Sequence, residues 1–239
     1  MARRVDVAPP RASLARTLAL AVGLWAQDGH AAGGQFGVDD AAILEAGTCQ
    51  IETWGERADH AGSLLHAGAA CRVGAVELGL NADRIDPRDG GPITPIGPQI
   101  KWAVAIDDRL SVGLVALAAW QGSTPRYAGA TLYAPLTWRA AEVLLLNVNI
   151  GWDWVRGVPS RGRAGISLEW QASPEWTVIV ERYGQYGAEV ARAGLRWQPS
   201  DVLAVDLSRA RGLGSRSGGS WALGATWTFD APGAGRRAR

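Results

Sequence analysis

The chain has 239 residues, with 24 Lys and Arg against 23 Asp and Glu, so its formal net charge is only +1. A near-neutral chain argues against a nucleic-acid-binding protein, which needs a basic face. Tryptophan occurs 12 times against 2 Phe and 1 Met, whereas soluble cores are packed mainly by aliphatic residues and Phe. Because Trp prefers the membrane interface, this composition favours a membrane protein.

The first 31 residues have the form of a secretory signal peptide. Basic residues precede an apolar run, residues 18–26, that is too short to cross a bilayer as a helix. The best small-residue cleavage pattern ends at Ala31, with Ala26 and Ala32 as alternative last residues. We therefore expect residues 1–31 to be removed on export, and no later stretch offers the ~18 apolar residues of a membrane helix.

Residues 32–47 are expected to form a periplasmic segment that leads into a first strand, and a second strand follows at about residue 63. Cys49 and Cys71, the only two cysteines, are equally distant from His60. If the hairpin is symmetric about His60, the two cysteines face each other across adjacent strands. In an oxidising compartment this predicts a disulfide, and two small core cysteines are the alternative.

The clearest pattern lies between residues 142 and 171. Even positions from Leu144 to Trp154 are apolar, while Asn147, Asn149 and Asp153 stand between them. Alternation with period two predicts a strand, and residues 163–170 repeat it after a turn. One such hairpin also suits a soluble sandwich, so it does not decide the fold class.

The repetition of this alternating pattern along the chain decides the fold class. Segments of about ten residues, apolar on one side and polar on the other, recur from residue 48 to residue 229. This is the signature of a membrane-spanning barrel, and bacterial single-chain barrels have an even strand number. The sequence thus predicts an all-β protein, an antiparallel up-and-down transmembrane β-barrel of about twelve strands. Residues 230–239, rich in Gly, Ala and Arg, are expected to be a disordered tail.

Alternation also assigns side chains to the two faces. Tryptophans on the apolar face are expected to form two aromatic belts, and they are Trp120, Trp138, Trp152, Trp154, Trp170, Trp176, Trp197, Trp221 and Trp227. Polar residues on the other face are expected to line the lumen, and they are Glu77, Asp83, Lys101, Asn147, Asn149, Asp153, Arg161, Arg163, Glu169, Glu181, Arg192, Arg196 and Asp206. Most are expected to form structural ion pairs, and a selectivity lining is the alternative.

The start of the predicted mature chain resembles a known group. Asp39-Asp40, Leu44-Glu45, Gly47 and Glu52 are similar to the opening of proteobacterial outer-membrane barrels related in pattern to the transporter-like barrels of the meta-pathway of phenol degradation. The resemblance implies a transporter-like barrel in the outer membrane of a Gram-negative bacterium.

Three functions are compatible with these observations. The first is passive transport of a small-molecule solute across the outer membrane, and the second is a closed structural or interaction barrel that acts through its outer loops. The third, a lipid-modifying enzyme, needs a serine near His66, and the sequence offers no nucleophile elbow. We expect no enzyme activity, no cofactor and no metal. Outer-membrane lipid is the expected partner and nucleic acid is not, and the sequence indicates no particular oligomeric state.

Overall fold

The computed structural model describes residues 35–59, 62–122, 126–214 and 218–232. Twelve strands account for most of this part of the chain. They are β1 (Thr48–Ala58), β2 (Gly62–Val73), β3 (Val76–Pro87), β4 (Pro95–Ala105), β5 (Leu110–Gln121), β6 (Arg126–Ala141), β7 (Leu144–Val155), β8 (Arg161–Gln171), β9 (Trp176–Gln185), β10 (Ala188–Ser200), β11 (Leu203–Leu213) and β12 (Gly219–Asp230). Within the described ranges, no helix is long and apolar enough to cross a membrane.

Every strand pairs antiparallel with its chain neighbours, and β1 pairs with β12 to close the sheet into a barrel. The closing seam is long, running from Thr48 opposite Asp230 to Ala58 opposite Ser220. Closure leaves no edge strand, so each strand has a hydrogen-bonded neighbour on both sides. The predicted all-β, up-and-down antiparallel barrel of about twelve strands is confirmed.

Two ends of the barrel can be distinguished. The terminal end is where β1 begins and β12 ends, and it carries the short β2–β3, β4–β5, β6–β7, β8–β9 and β10–β11 turns. The loop end is the opposite end of the barrel, and it carries the β1–β2, β3–β4, β5–β6, β7–β8, β9–β10 and β11–β12 connections. The predicted signal peptide, His60, the tips of the loops at 123–125 and 215–217, and residues 233–239 of the predicted tail lie outside the described residues.

The outer face of the barrel is apolar and exposed. Ile150 is 63% exposed and Leu223 is 59% exposed, and the nine tryptophans assigned to belts are all between 37% and 54% exposed. The inner face holds buried charged and amide groups. Such a distribution is the inverse of a water-soluble protein, in which large apolar side chains are buried and charges are not.

The alternation of β6 predicts that Tyr127 lies on the polar, lumen-facing side, and this prediction is wrong. The Tyr127 side chain is 42% exposed on the outer face and makes an edge contact with Trp120. The pairing of β5 with β6 shifts register between Ala119 and Trp120. An extra residue in one strand reverses the facing of everything beyond it.

Cys49 and Cys71 are direct partners in the β1–β2 register and form a disulfide with an S–S distance of 2.04 Å. The predicted bond is therefore confirmed. It lies at the terminal end of the barrel, where the chain enters β1.

Replacing both cysteines by serine is expected to cost little stability, at the lower end of the ~0–5 kcal/mol range for disulfides. The loop that the bond closes is already held by the paired hairpin from Gln50 opposite Ala70 to Ala58 opposite Gly62. Urea unfolding of the refolded protein in lipid vesicles measures this cost. A loss of several kcal/mol would contradict it.

Candidate functional site

The N-terminal segment runs through the interior of the barrel. Residues 32–47 were expected only to lead into the first strand from the periplasm, but the structure places residues 35–44 among lumen-facing side chains. Gln35, Phe36, Val38, Asp39 and Ala41 are each at most 5% exposed. We call residues 35–44 the plug. It belongs to no strand, so its contacts with the wall are made mainly by wall side chains.

A buried ion pair holds the middle of the plug. Lys101 of β4 is fully buried, and its Nζ lies 2.9 Å from Asp39 Oδ1 and 3.1 Å from Asp40 Oδ1. The Tyr133 hydroxyl donates to the other carboxylate oxygen of Asp39 at 3.0 Å. Glu77, beside Lys101 in the β3–β4 register, accepts from the Leu44 amide at 3.1 Å. A buried charge is costly unless it is paired, so Lys101 depends on the plug for its partners.

Wall side chains also take the place of strand partners for the plug backbone. The two carboxylate oxygens of Glu181 accept from the Gly37 and Val38 amides, each at 2.9 Å. The Asn149 carboxamide accepts from the Asp39 amide at 2.7 Å and donates to the Asp39 carbonyl at 2.9 Å. These contacts satisfy backbone groups that burial would otherwise leave without partners.

Glycines on the inner face make room for the plug. A Cβ at Gly165 of β8 would lie 2.7 Å from the Val38 side chain, one at Gly194 of β10 would lie 2.8 Å from the Phe36 ring, and one at Gly224 of β12 would lie 2.8 Å from Gln35. Any larger side chain at these three positions would have to displace plug atoms. The wall is therefore shaped to the segment that fills it.

Ion pairs within the wall lie beside the plug in the lumen. Arg196 of β10 donates twice to Asp206 of β11, at 2.8 and 3.2 Å. Arg192 contacts Glu56 at 2.9 Å, and Arg163 lies 3.5 Å from Asp153. The Arg196–Asp206 pair, which is bidentate, belongs to the strong kind of ion pair.

Most predicted lumen residues are buried inside the barrel, namely Glu77, Lys101, Asn147, Asn149, Asp153, Arg163, Glu181, Arg192, Arg196 and Asp206. Asp83 and Glu169 are half-buried, and Arg161 is exposed at the loop end of β8. Tyr186, in the β9–β10 turn, reaches across the loop end. Its hydroxyl lies 2.9 Å from Thr131 Oγ1, and its amide donates to Asp153.

A second cluster lies on the loop-end side of the plug. His66 Nδ1 is 2.6 Å from Asp83 Oδ1, its Nε2 is 3.5 Å from Glu52, and Trp54 stacks on its ring at 5.0 Å. Trp54 also packs with Leu64 and Ile85 inside the barrel. The sequence reasoning missed this inward Trp, although its position between Glu52 and Glu56 in β1 was a signal that it faces the lumen. Among the described residues, no group of three or more potential metal ligands occurs.

The sequence reasoning also missed the plug and its contacts with Tyr133 and the three glycines. Only one signal was available, which is the placement of Gly165, Gly194 and Gly224 on the otherwise polar face of strands. Isolated glycine within a strand often marks the close approach of another backbone.

The fold is similar to those of solved outer-membrane channels. A KdgM porin in complex with disordered oligogalacturonate matches 75% of this chain and 99% of its own, with 10% identity and a TM-score of 0.62. The COG4313 outer membrane channel from Pseudomonas putida F1 matches 80% of this chain and 98% of its own, with 10% identity and a TM-score of 0.57. The P. putida toluene transporter TodX matches 88% and 97%, with 9% identity and a TM-score of 0.53.

No match was found among curated proteins. A family model does match, and it covers residues 20–229, which include every barrel strand except the last residue of β12 and also the whole plug. The chain belongs to the family described as "Uncharacterised conserved protein UCP029691".

Proposed function

We propose that this protein is an outer-membrane barrel that passes a small polar solute passively through its lumen, and that its own plug closes this path. The observation that carries the proposal is the pairing of Lys101 with Asp39 and Asp40. Side chains hold the plug, and no β-ladder joins it to the wall, so water and ions can replace its contacts when it leaves. A polar, hydrated lumen would then remain.

The membrane location is part of this proposal. Exposed apolar side chains surround the barrel, and exposed tryptophans lie towards both ends. Trp138, Trp170, Trp176, Trp197 and Trp227 lie towards the terminal end, and Trp120, Trp152, Trp154 and Trp221 towards the loop end. Two aromatic belts that flank an apolar band are typical of outer-membrane barrels. The likeness in fold to channels supports transport over enzymatic activity, and a link to phenol degradation stays a prediction.

Channel recordings in planar bilayers test the proposal. The full chain is expected to conduct little, and a variant that lacks residues 35–44 is expected to open stable conducting steps, because the lumen then holds water in place of the plug. Heat-modifiable mobility on a mildly denaturing gel verifies that the deletion variant still forms a barrel. A folded deletion variant with no more conductance than the full chain would favour the alternative, a closed structural or interaction barrel.

A cysteine lock provides the matched control. The Ala41 amide nitrogen lies 2.7 Å from Thr137 Oγ1, so positions 41 and 137 are chosen for a pair of cysteines, in a background with serine at 49 and 71, and mass spectrometry without reduction verifies that the cross-link forms. The oxidised protein is expected to stay closed at all voltages. The reduced protein is expected to show the opening events of the full chain, and equal traces in both states would contradict a moving plug.

The open lumen is expected to prefer cations modestly. Carboxylates on the wall outnumber cations. The carboxylates are Glu52, Glu56, Glu77, Asp83, Asp153, Glu169, Glu181 and Asp206, and the cations are Arg72, Lys101, Arg161, Arg163, Arg192 and Arg196. Rings of charged side chains select ions by sign. The reversal potential of the plug-deleted variant in a KCl gradient measures this preference, and anion selectivity would contradict it.

A further inference from the structure

The two ends of the barrel differ in charge. Among the described residues, apart from side chains enclosed in the lumen, nine arginines and four carboxylates lie towards the loop end. The arginines are Arg57, Arg84, Arg88, Arg126, Arg156, Arg161, Arg182, Arg209 and Arg211, and the carboxylates are Asp59, Asp86, Asp89 and Glu189. With the same restriction to described residues outside the lumen, the terminal end has the opposite balance, with Glu45, Asp107, Asp108, Glu142, Glu175, Asp201 and Asp230 against Arg109 and Arg139.

Four of the loop-end arginines form one patch on the outer face. Arg57 of β1 and Arg209 of β11 are both opposite Trp221 of β12. Arg182 of β9 and Arg211 of β11 are both opposite Ala191 of β10. We call these four residues the arginine patch. All four occupy the strand positions that alternate with lumen-facing ones, so they point away from the lumen at the edge of the apolar band.

Pairing within the protein neutralises only half of the arginine patch. Arg209 is held by both carboxylate oxygens of Asp59, at 3.0 and 2.6 Å, and lies 5.4 Å from the centre of the Trp221 ring. Arg182 is 3.7 Å from Glu189. Among the described residues, neither Arg57 nor Arg211 has a carboxylate partner, and both are exposed.

We propose that the arginine patch binds the phosphate groups of lipid A in the leaflet around the loop end. The inference rests on the proposed outer-membrane location. Guanidinium groups bind phosphate oxygens in pairs, which makes Arg the preferred residue for planar phosphate recognition. Trp221 between Arg57 and Arg209 places them at headgroup depth, where amphipathic rings sit. The carboxylate-rich terminal end would repel the same headgroups, so the patch also fixes the loop end as the outer one.

Binding to defined lipids tests this inference. The refolded protein in neutral detergent micelles is titrated with diphosphoryl lipid A, and bound lipid is counted by native mass spectrometry. The double variant R57Q/R211Q is expected to bind lipid A about 10-fold more weakly, because it loses two charge-assisted contacts. The matched control R109Q/R139Q, at the terminal end, is expected to bind like the unaltered chain.

Other outcomes would overturn the inference. Equal affinity of R57Q/R211Q and the unaltered chain would show that the patch is not the site. Equal affinity for phosphatidylglycerol and lipid A would show a general anionic surface, and competition by millimolar inorganic phosphate alone would show a free-anion site. Fractionation of R57Q/R211Q distinguishes failure of the arginine patch as the lipid A site from failure of the proposed membrane location. If the variant is found in the outer membrane and binds lipid A as tightly as the unaltered chain, the patch assignment is wrong and the location stands.

Discussion

Replacing Lys101 by methionine is expected to release the plug. The change leaves Asp39, Asp40 and Glu77 together in the lumen without the cation that now lies 2.9 Å from Asp39 and 3.1 Å from Asp40. Removing one partner of a buried pair costs about 3–5 kcal/mol. Since ~1.4 kcal/mol is a factor of ten, the open population should rise by roughly a hundredfold or more.

Thiol labelling measures this release. A single cysteine replaces Val38, which is 5% exposed in the closed barrel, in a background with serine at 49 and 71. A water-soluble maleimide should react with it much faster when residue 101 is Met. The exposed Arg161 provides a matched control, because R161M removes a cation that does not contact the plug. Unchanged labelling in K101M would contradict the role given to Lys101, and partial reversal in the K101M/D39N double variant would support it.

Replacing Ile150 by arginine is expected to destabilise the barrel by about 2–4 kcal/mol, because the charge would have to enter hydrocarbon near the membrane midplane. Ile150 lies in the middle of β7 and is 63% exposed. Val73, at the end of β2, is 55% exposed, and V73R is expected to cost only ~0–1 kcal/mol, since cost falls with distance from the midplane.

Urea unfolding of both variants in lipid vesicles measures the difference. If water surrounded the barrel, arginine at either exposed position would be nearly neutral, so equal small effects would contradict the membrane location. Asn149 is not a suitable control, because its carboxamide is bonded to the backbone of Asp39. An arginine there would report displacement of the plug and not the environment of the outer face.

The strands and the disulfide could be predicted because their signals are local. Period-two alternation in β7 and β8 requires no knowledge of the partner strands, and a hairpin centred near residue 60 puts Cys49 opposite Cys71. The same alternation assigns side chains to the inner or outer face of the barrel wherever the pairing of neighbouring strands is regular. It failed at Tyr127, because a register shift between neighbouring strands leaves no trace in the sequence of one strand.

The plug could not be predicted because nothing in residues 35–44 is periodic. Its contacts reach every strand from β2 to β12 except β5, and each of these contacts joins the plug to a wall residue at least 28 positions away in the chain. Asp39 and Asp40 are part of the family resemblance, but their partner Lys101 stands 62 and 61 positions away from them, respectively. Only the closed barrel brings these groups together.

The position of the disulfide has a mechanical consequence. Cys49 is the second residue of β1, immediately after the turn at Gly47 through which the plug is tied to the wall, and β1 is also one side of the closing seam. A force that pulls the plug out would act first on the start of β1. Because Cys49 is bonded to Cys71, that load passes covalently into β2 as well, and does not peel β1 from β12 one hydrogen bond at a time. The bond, which is expected to add little to equilibrium stability, can thus carry a pulling force from the plug into β2 without separating β1 from β12.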